Sequence, residues 1–443
     1  MGIDLSSSVM EHLRAVDPAH EPGSAAWWQA VARKGTPLRT AEEVDEADEA
    51  GAPQHRALLF LWRQAPGVPA PVAVCIDVDG HTPHPSEGAT RMHRLPGTDV
   101  WYWPTRLTAD WLGSYAFMPL DPAWPEEPAT AQARRQWWRA TLQAFGQADP
   151  FSPHPATADG WGRPRAVLRE ADAPARPSGQ GAGDLPAGTL RQWTWTSRLL
   201  GTARSVWLHQ TRASAGETPA RPWVLLLDGQ AWAGPLGLFP LLDAMTAQGR
   251  LPAANYLAVD ARDPASREQD MACQPRFWQA MHEELWPAAW RIALRDGSMS
   301  GSAGCEAPCL VAGQSLGGLA ATYAALHWPH RYPAVLSQSG AFWWPALDTG
   351  PEHAWLIRQV RAGLGRRQGL RALFQYGERD PEDMQRLSRQ MAEALRPQLA
   401  RPEAVRAQQV KGGHDWVCWR EALLAGLAEL LPSLCEPCSS QAH

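Results

Sequence analysis

The sequence predicts two domains, an all-β sandwich followed by an α/β domain with a mostly parallel sheet. Up to residue 169, apolar runs such as RALLFLWRQ (56–64) are short, alternate with period two and are separated by Pro, Gly and Asp. From residue 189, buried runs such as WVLLLDG (223–229) alternate with longer amphipathic segments, which is typical of a parallel sheet covered by helices. Between them, residues 170–188 are rich in Pro, Gly and Ala without periodicity, which predicts a linker.

The individual elements follow from the same patterns. In the first domain, 1–169, further strands are predicted over 70–80, 92–107 and 111–121, and the acidic run 40–50 predicts a solvated face or loop. In the second domain, 189–443, strands are predicted over 205–211, 223–229, 255–261, 309–315, 334–340, 371–377 and 406–413. Helices are predicted over 276–295, 316–327, 382–399 and 419–431.

Composition excludes several classes of function. The 443 residues are 44% hydrophobic and carry a net charge of -5, which argues against a general nucleic-acid or anionic-membrane binder. The sequence shows neither a secretory signal nor an apolar run long enough to span a bilayer, so we expect a cytoplasmic protein. The seven cysteines lack zinc-site spacing and predict reduced thiols. The 24 tryptophans fit either core packing or a pocket for a flat aromatic ligand.

Ser315 is the candidate nucleophile. It stands in G-x-S-x-G, after the apolar run CLVAG (309–313) and before a helical pattern that begins at Leu316. A strand, a sharp turn and a helix are the setting that a nucleophile elbow requires, and the glycines allow the backbones to approach closely. The Leu316 N–H at the helix start predicts one donor of an oxyanion hole.

The second oxyanion donor is expected in the loop after an earlier strand. The sequence DGQAW follows such a run, so Gln230 N–H is the first choice and Ala231 N–H the second. The alternative is that DGQ is simply a strand-to-helix turn.

A serine hydroxyl needs an adjacent base to be an effective nucleophile. His414 fits, because it follows the last predicted strand behind two glycines. Among the acidic residues of GERDPEDM, Asp380 is the best placed to orient the histidine and Glu378 is second, while Asp415 is too close in sequence to His414. The chain order Ser315, Asp380, His414 is that of α/β-hydrolases.

Several blocks of the chain resemble enterochelin esterases, the ferric enterobactin hydrolases. The blocks are LLLDGQAW (225–232), VAGQSLGGLAATYAALHWPHRYPAVLSQSGAFWWP (311–345) and GGHDWVCWR (412–420), with DWLGSYAFMPLD (110–121) and ADPFSPHP (148–155) nearer the amino terminus. The resemblance implies an immunoglobulin-like amino-terminal domain and an α/β-hydrolase domain. It also implies a cytoplasmic serine esterase that hydrolyses the iron-loaded form of a catecholate trilactone. Ferric iron would then arrive as part of the substrate, and no other cofactor would be needed.

An anionic, aromatic substrate needs a cationic pocket with flat walls. Arg262 and Arg267 follow one predicted strand on the side where ligands bind in such sheets, although the REQD text departs from the family's R-x-x-E. The tryptophans beside the motif loops fit either pocket walls or core; they are Trp232, Trp343, Trp344 and Trp416. A serine–histidine dyad, a general carboxylesterase or acyltransferase, and an inactive siderophore-binding protein remain alternatives.

Overall fold

The computed structural model describes residues 5–39, 54–176, 187–212, 221–295, 307–346, 353–365, 369–399 and 401–435. The chain divides into two compact units, Met1–Pro174 and Ala175–His443. Most of the predicted linker, residues 177–186, and the acidic run 40–50 lie outside the described residues. The domain boundaries of the linker therefore stay a prediction.

The first unit is mostly β. Its strands are β1 (Leu38–Arg39), β2 (His55–Arg63), β3 (Ala73–Val78), β4 (Thr90–Arg91), β5 (His93–Arg94), β6 (Val100–Thr108), β7 (Leu112–Leu120), β8 (Thr157–Ala158) and β9 (Pro164–Arg169). Its helices are α1 (Leu5–Val16), α2 (Ala25–Lys34) and α3 (Ala131–Phe145). The four long strand predictions overlap β2, β3, β5 with β6, and β7, whereas β1, β4, β8, β9 and the helices were not predicted.

Two antiparallel sheets enclose the core of this unit. One sheet has the order β1-β2-β6-β5 and the other β4-β3-β7-β9-β8. Phe60 of β2, Val74 of β3 and Phe117 of β7 are fully buried and lie in one apolar cluster, so side chains of the two sheets face each other. This arrangement confirms a β-rich first domain with two sheets.

The second unit alternates strands and helices. Its strands are β10 (Thr189–Ser197), β11 (Thr202–Gln210), β12 (Trp223–Leu227), β13 (Asn255–Val259), β14 (Cys309–Gln314), β15 (Ala334–Gln338), β16 (Arg371–Gly377) and β17 (Val405–Val410). Its α-helices are α4 (Gly229–Ala233), α5 (Leu238–Ala247), α6 (Pro264–Met271), α7 (Pro275–Ala280), α8 (Trp286–Arg295), α9 (Leu316–His327), α10 (Trp355–Arg361), α11 (Glu382–Leu395) and α12 (Trp416–Leu430). Short π or 3₁₀ turns cover Met281–Leu285, Arg396–Gln398, Pro402–Ala404 and Leu431–Leu434.

The eight strands in the described part of the second unit form one sheet with the order β10-β11-β13-β12-β14-β15-β16-β17. From β13 to β17 every neighbouring pair is parallel, while β10 and β11 form an antiparallel hairpin at one edge. The strand predictions overlap seven of these eight strands. The exception is β10, which is mostly exposed and whose sequence TLRQWTWTS alternates only weakly between apolar and polar residues. Parallel strands end at the same edge of the sheet, so the loops after β12, β14, β15, β16 and β17 lie together.

Both faces of the sheet are covered. Residues of β12 alternate between the faces, and Leu226 joins a cluster with side chains of α4, α5 and α12, whereas Leu225 points to the other face. Both leucines are 0% exposed, as expected for a parallel sheet with helices on each side. None of the helices in the described ranges is long and apolar enough to cross a membrane. The central strands are therefore a rigid base for the loops at their carboxyl ends.

Candidate active site

Ser315 occupies a strained turn between β14 and α9. Its backbone has φ 53° and ψ -117°, a conformation that residues with a side chain rarely adopt. Gly313 makes the turn possible, because a Cβ there would lie 2.3 Å from the carbonyl oxygen of Gly317. The G-x-S-x-G prediction of a nucleophile elbow therefore has the geometry that it requires, with the serine at the tip of the turn.

The DGQ turn lies directly beside this elbow. A Cβ on Gly317 would lie 3.1 Å from Asp228 Oδ2, so the turn after β12 touches the first turn of α9. Asp228 itself is 0% exposed and has φ 60°. Its carboxylate accepts two hydrogen bonds from Arg267, Nε to Oδ1 at 2.6 Å and Nη2 to Oδ2 at 2.9 Å. Arg267 Nη2 also donates to the carbonyl oxygen of Gln314 at 2.9 Å, one residue before the nucleophile.

The two expected oxyanion donors begin the two neighbouring helices. Leu316 is the first residue of α9, and Gln230 is the second residue of α4, so both N–H groups belong to a first helical turn. The Gln230 side chain accepts a hydrogen bond from Ala261 N at 2.9 Å. Ala231, the second choice, donates its N–H to the carbonyl oxygen of Asp228 at 3.0 Å.

An acid–base pair lies at the same edge of the sheet. His414 Nδ1 is 3.3 Å from Asp380 Oδ1, and the Asp380 side chain is 0% exposed. Asp380 Oδ2 accepts from the backbone N–H of Gly377 at 2.7 Å and from the Ser339 hydroxyl at 2.6 Å. A carboxylate held in this way fixes the imidazole with its Nε2 side free to act as a base.

The other acidic candidates have different partners. Glu378 pairs with Arg379 at 2.6 Å and with Lys411 at 2.9 Å, so the second choice of acid does not contact the histidine. Asp415 caps α12 by accepting from Val417 N at 2.6 Å. Of these carboxylates, Asp380 is the one that the structure brings to the histidine.

Close backbone packing brings the acid and the base together. Arg379 N–H donates to the carbonyl oxygen of Gly412 at 3.0 Å, so the loops after β16 and β17 are hydrogen-bonded to each other. A Cβ on Gly377 would lie 2.5 Å from Gly412 O, and Gly412 itself has φ 115° against the buried thiol of Cys418. Gly412, two residues before His414, therefore serves the close packing of these loops.

The turn after β15 connects the nucleophile to this pair. Ser315 N–H donates to Gln338 O at 2.8 Å, and Ala341 N–H donates to Ser315 O at 2.9 Å. Ser339, between these two residues, donates to Asp380. The nucleophile, the acid and the base thus share one hydrogen-bonded edge, and this arrangement can carry out acyl transfer from an ester.

The predicted binding residues have mixed placements. Trp232 is wrong as a pocket wall, because it is 0% exposed and its indole N–H donates to Leu227 O at 2.9 Å inside the core. The expectation of an available positive charge at Arg267 is also wrong, because buried Asp228 pairs with it. Arg262 is exposed to solvent. Three of the predicted tryptophans are half-buried and so remain partly accessible to a ligand: Trp343, Trp344 and Trp416.

Sequence reasoning missed Ser339 and Trp419. Ser339 directly follows β15 and has φ 45°, and Trp419 packs edge to face on the His414 ring with centroids 4.6 Å apart. The position of Ser339, directly after the strand that neighbours the nucleophile strand, is the sequence feature that could have identified it as a site residue. Within the described ranges, no group of three His, Cys, Asp or Glu side chains could hold a metal ion.

Known proteins resemble the chain over nearly its whole length. A family model described as "Enterochelin esterase, N-terminal" matches residues 57–178, and one described as "Putative esterase" matches residues 214–430. An iron(III) enterobactin esterase of Dickeya dadantii is 37% identical, over 93% of this chain and 94% of that protein. The same-named protein of Escherichia coli K12 is 33% identical, over 92% of this chain and 96% of that protein.

Solved structures agree with the sequence relatives. The enterobactin esterase of Shigella flexneri, crystallised in the presence of enterobactin, is 32% identical and superimposes with a TM-score of 0.74, covering 94% of this chain and all of that one. The α/β fold of the second unit is therefore that of an ester hydrolase. The chain belongs to the enterochelin esterase family.

Proposed function

We propose that this enzyme hydrolyses the ester bonds of ferric enterobactin-type catecholate trilactones. The observation that carries the proposal is the pairing of His414 with buried Asp380 at the sheet edge that also presents Ser315 in a strained elbow. The substrate follows from the relatives, which are named for iron(III) enterobactin and align over more than nine-tenths of this chain.

In the first half of the reaction, Ser315 Oγ attacks a lactone carbonyl carbon while His414 Nε2 takes the hydroxyl proton. The carbonyl oxygen becomes an oxyanion, which the N–H groups of Leu316 and Gln230 stabilise. Asp380 holds the histidine by its Nδ1–H and stabilises the imidazolium that forms. The imidazolium then protonates the departing serine alkoxide of the substrate, which opens the ring and leaves an acyl-enzyme.

In the second half, water attacks the ester carbon of the acyl-enzyme while His414 accepts one of its protons. The same two N–H groups stabilise the second oxyanion. Collapse of this intermediate breaks the bond to Ser315 Oγ, and the histidine returns a proton to it. The free carboxylic acid leaves, and the enzyme is restored.

The substrate pocket is proposed at the same edge of the second unit. Arg262 is exposed there on the loop after β13 and supplies positive charge to a catecholate complex. Trp343, Trp344 and Trp416 supply flat apolar surface beside the elbow and the His414 loop. Trp344 is fixed by an edge-to-face contact with Trp355, whose ring centroid lies 5.8 Å away.

We further propose that ferric iron enters with the substrate, bound by catecholate oxygens, and that no other cofactor takes part. Cleavage then weakens the complex and helps to release iron in the cytoplasm. The first unit, with two facing antiparallel sheets, is proposed to be an immunoglobulin-like sandwich.

The test is chromatography of the products formed from ferric enterobactin, ferric salmochelin and their iron-free forms. We expect linear catecholoyl-serine products from enterobactin. Comparison of the four substrates shows which siderophore is preferred and whether the enzyme prefers the iron-loaded or the iron-free form. Activity on p-nitrophenyl butyrate with intact ferric enterobactin would instead indicate a general carboxylesterase. Tight binding of the siderophore with no turnover, unchanged in Ser315→Ala, would indicate a binding protein.

Matched variants test the assignment of the acid. Ser315→Ala and His414→Ala should each lose most activity while the protein stays folded. Asp380→Asn should lose activity too, because the histidine then lacks the carboxylate, whereas Glu378→Gln should keep it because Glu378 pairs with Arg379 and Lys411. Equal rates for wild type and Asp380→Asn would support a serine–histidine dyad.

A further inference from the structure

A line of hydrogen bonds runs behind the acid–base pair. Trp419, on α12, donates its indole N–H to Ser339 Oγ at 2.9 Å, and the Ser339 hydroxyl is 2.6 Å from Asp380 Oδ2. Both residues are almost fully buried, at 4% and 1% exposure. Neither contributes an atom to the reaction described above.

The chemistry of the donors fixes the direction of this line. An indole N–H can only donate, so Ser339 Oγ accepts from Trp419 and directs its own proton to the carboxylate. Asp380 Oδ2 then receives two donors, the hydroxyl and the Gly377 N–H at 2.7 Å. Oδ1 is left for His414 Nδ1, which must carry its proton on that side.

Trp419 also contacts the base directly. Its ring meets the imidazole of His414 edge to face, with centroids 4.6 Å apart and an interplanar angle of 79°. One side chain therefore limits the rotation of the histidine and, through Ser339, the rotation of the aspartate. Of the other charged side chains in the two loops, Arg379 and Lys411 each pair with Glu378, and Asp415 accepts a hydrogen bond from Val417 N–H.

The backbone at Ser339 is strained in a way that suits this purpose. It has φ 45°, and its N–H is held by Gln375 O at 2.7 Å. Gln338, the residue before it, and Ala341, two residues after it, are hydrogen-bonded to the backbone of Ser315. A turn that holds the nucleophile on one side and the carboxylate on the other persists only if its neighbours over-determine it.

We propose that Ser339 and Trp419 are positioning residues that act in series, with Trp419 orienting the Ser339 hydroxyl and Ser339 orienting the Asp380 carboxylate toward His414. This proposal rests on the hydrolytic function proposed above and adds two residues to it. In this proposal the Trp419 indole N–H increases kcat through its hydrogen bond to Ser339, separately from the packing of the ring on His414.

The experiment compares Ser339→Ala, Trp419→Phe and the double variant. Ser339→Ala removes a charge-assisted hydrogen bond and should lower kcat about 10-fold with KM little changed. Trp419→Phe keeps the ring and loses the donor, so we expect a smaller loss of kcat. Because the bonds act in series, the double variant should be no slower than Ser339→Ala, and neither change should slow Asp380→Asn further.

A pH profile separates positioning from loss of packing. Without the serine donor, Asp380 concentrates more negative charge on the histidine, so the acid limb of the kcat/KM profile should move to higher pH in Ser339→Ala. Trp286→Phe is the matched control, because it loses a buried indole hydrogen bond, to Tyr332 Oη at 3.1 Å, near the amino end of β15. That variant should lose stability and keep the wild-type profile.

Rates are measured on both ferric enterobactin and an activated aryl ester. If the double variant is no slower than Ser339→Ala on the aryl ester, but the protein leaves ferric enterobactin intact, the positioning proposal stands and the proposed substrate is wrong. Additive losses in the double variant, or an unmoved acid limb in Ser339→Ala, would overturn the positioning proposal even if enterobactin is cleaved.

Discussion

Replacing the nucleophile by glycine should stabilise the protein while abolishing its activity. Ser315 has φ 53° and ψ -117°, which strains any residue with a Cβ, and this conformation costs about 1–3 kcal/mol. Glycine removes that strain but adds about 0.4–1 kcal/mol of entropy to the unfolded chain. The net expectation is a gain of about 1 kcal/mol in the free energy of unfolding, or a rise of about 1–2 °C in Tm for a unit of this size.

Ser315→Ala is the matched control for this change. Alanine removes the hydroxyl as glycine does, yet it keeps the Cβ and the strain. The hydroxyl makes no capping hydrogen bond at the start of α9, so its loss alone should leave stability nearly unchanged. Both variants should be inactive, and thermal and urea unfolding compare them. A glycine variant no more stable than the alanine variant would show that the turn stores no strain.

Three further predictions concern other parts of the second unit. Arg262→Ala should raise KM for the ferric complex more than for a neutral ester, and equal effects would remove Arg262 from the pocket. Gly412→Ala should cost about 3 kcal/mol or more, because φ is 115° and the new Cβ would lie 2.2 Å from Cys418 Sγ. Gly249→Ala, with φ 70° and no neighbour within 4 Å, should cost less in the same urea titration. Burial and a nearby arginine lower the pKa of His282 to about 4, so the free energy of unfolding should fall as pH drops from 6.5 toward 4. His282→Phe should reduce that fall by about 2 kcal/mol. An equal fall in both proteins would contradict this explanation.

The sequence was most informative where a local pattern determines the backbone. The turn at Ser315 follows from a buried strand, two glycines and a helical repeat within a few residues, and α9 has the predicted bounds, Leu316–His327. The edge position of the acid and the base follows from their order after parallel strands. Asp380 could be ranked above Glu378 by its place in the loop, and the hydrogen bond to His414 is what distinguishes the two carboxylates.

The remaining features depend on contacts between residues distant in sequence. Arg267 looked like an available positive charge because its partner, Asp228, is 39 residues away in the chain. Trp232 looked like a pocket wall because of its neighbouring motif, whereas its burial depends on Trp416 and α12. Ser339 was overlooked for the same reason, since its hydroxyl has a purpose only when β15 and β16 lie side by side.

The paired loops after β16 and β17 place a limit on how this enzyme can be redesigned. Glu378 and Arg379 donate their N–H groups to Val410 O and Gly412 O, so the ladder between the two strands continues past their ends. A residue inserted in one loop alone would shift its register against the other and separate the carboxylate from the imidazole. Grafted substrate-recognition segments should therefore be tolerated after β13 more readily than at these two loops, whose lengths must change together.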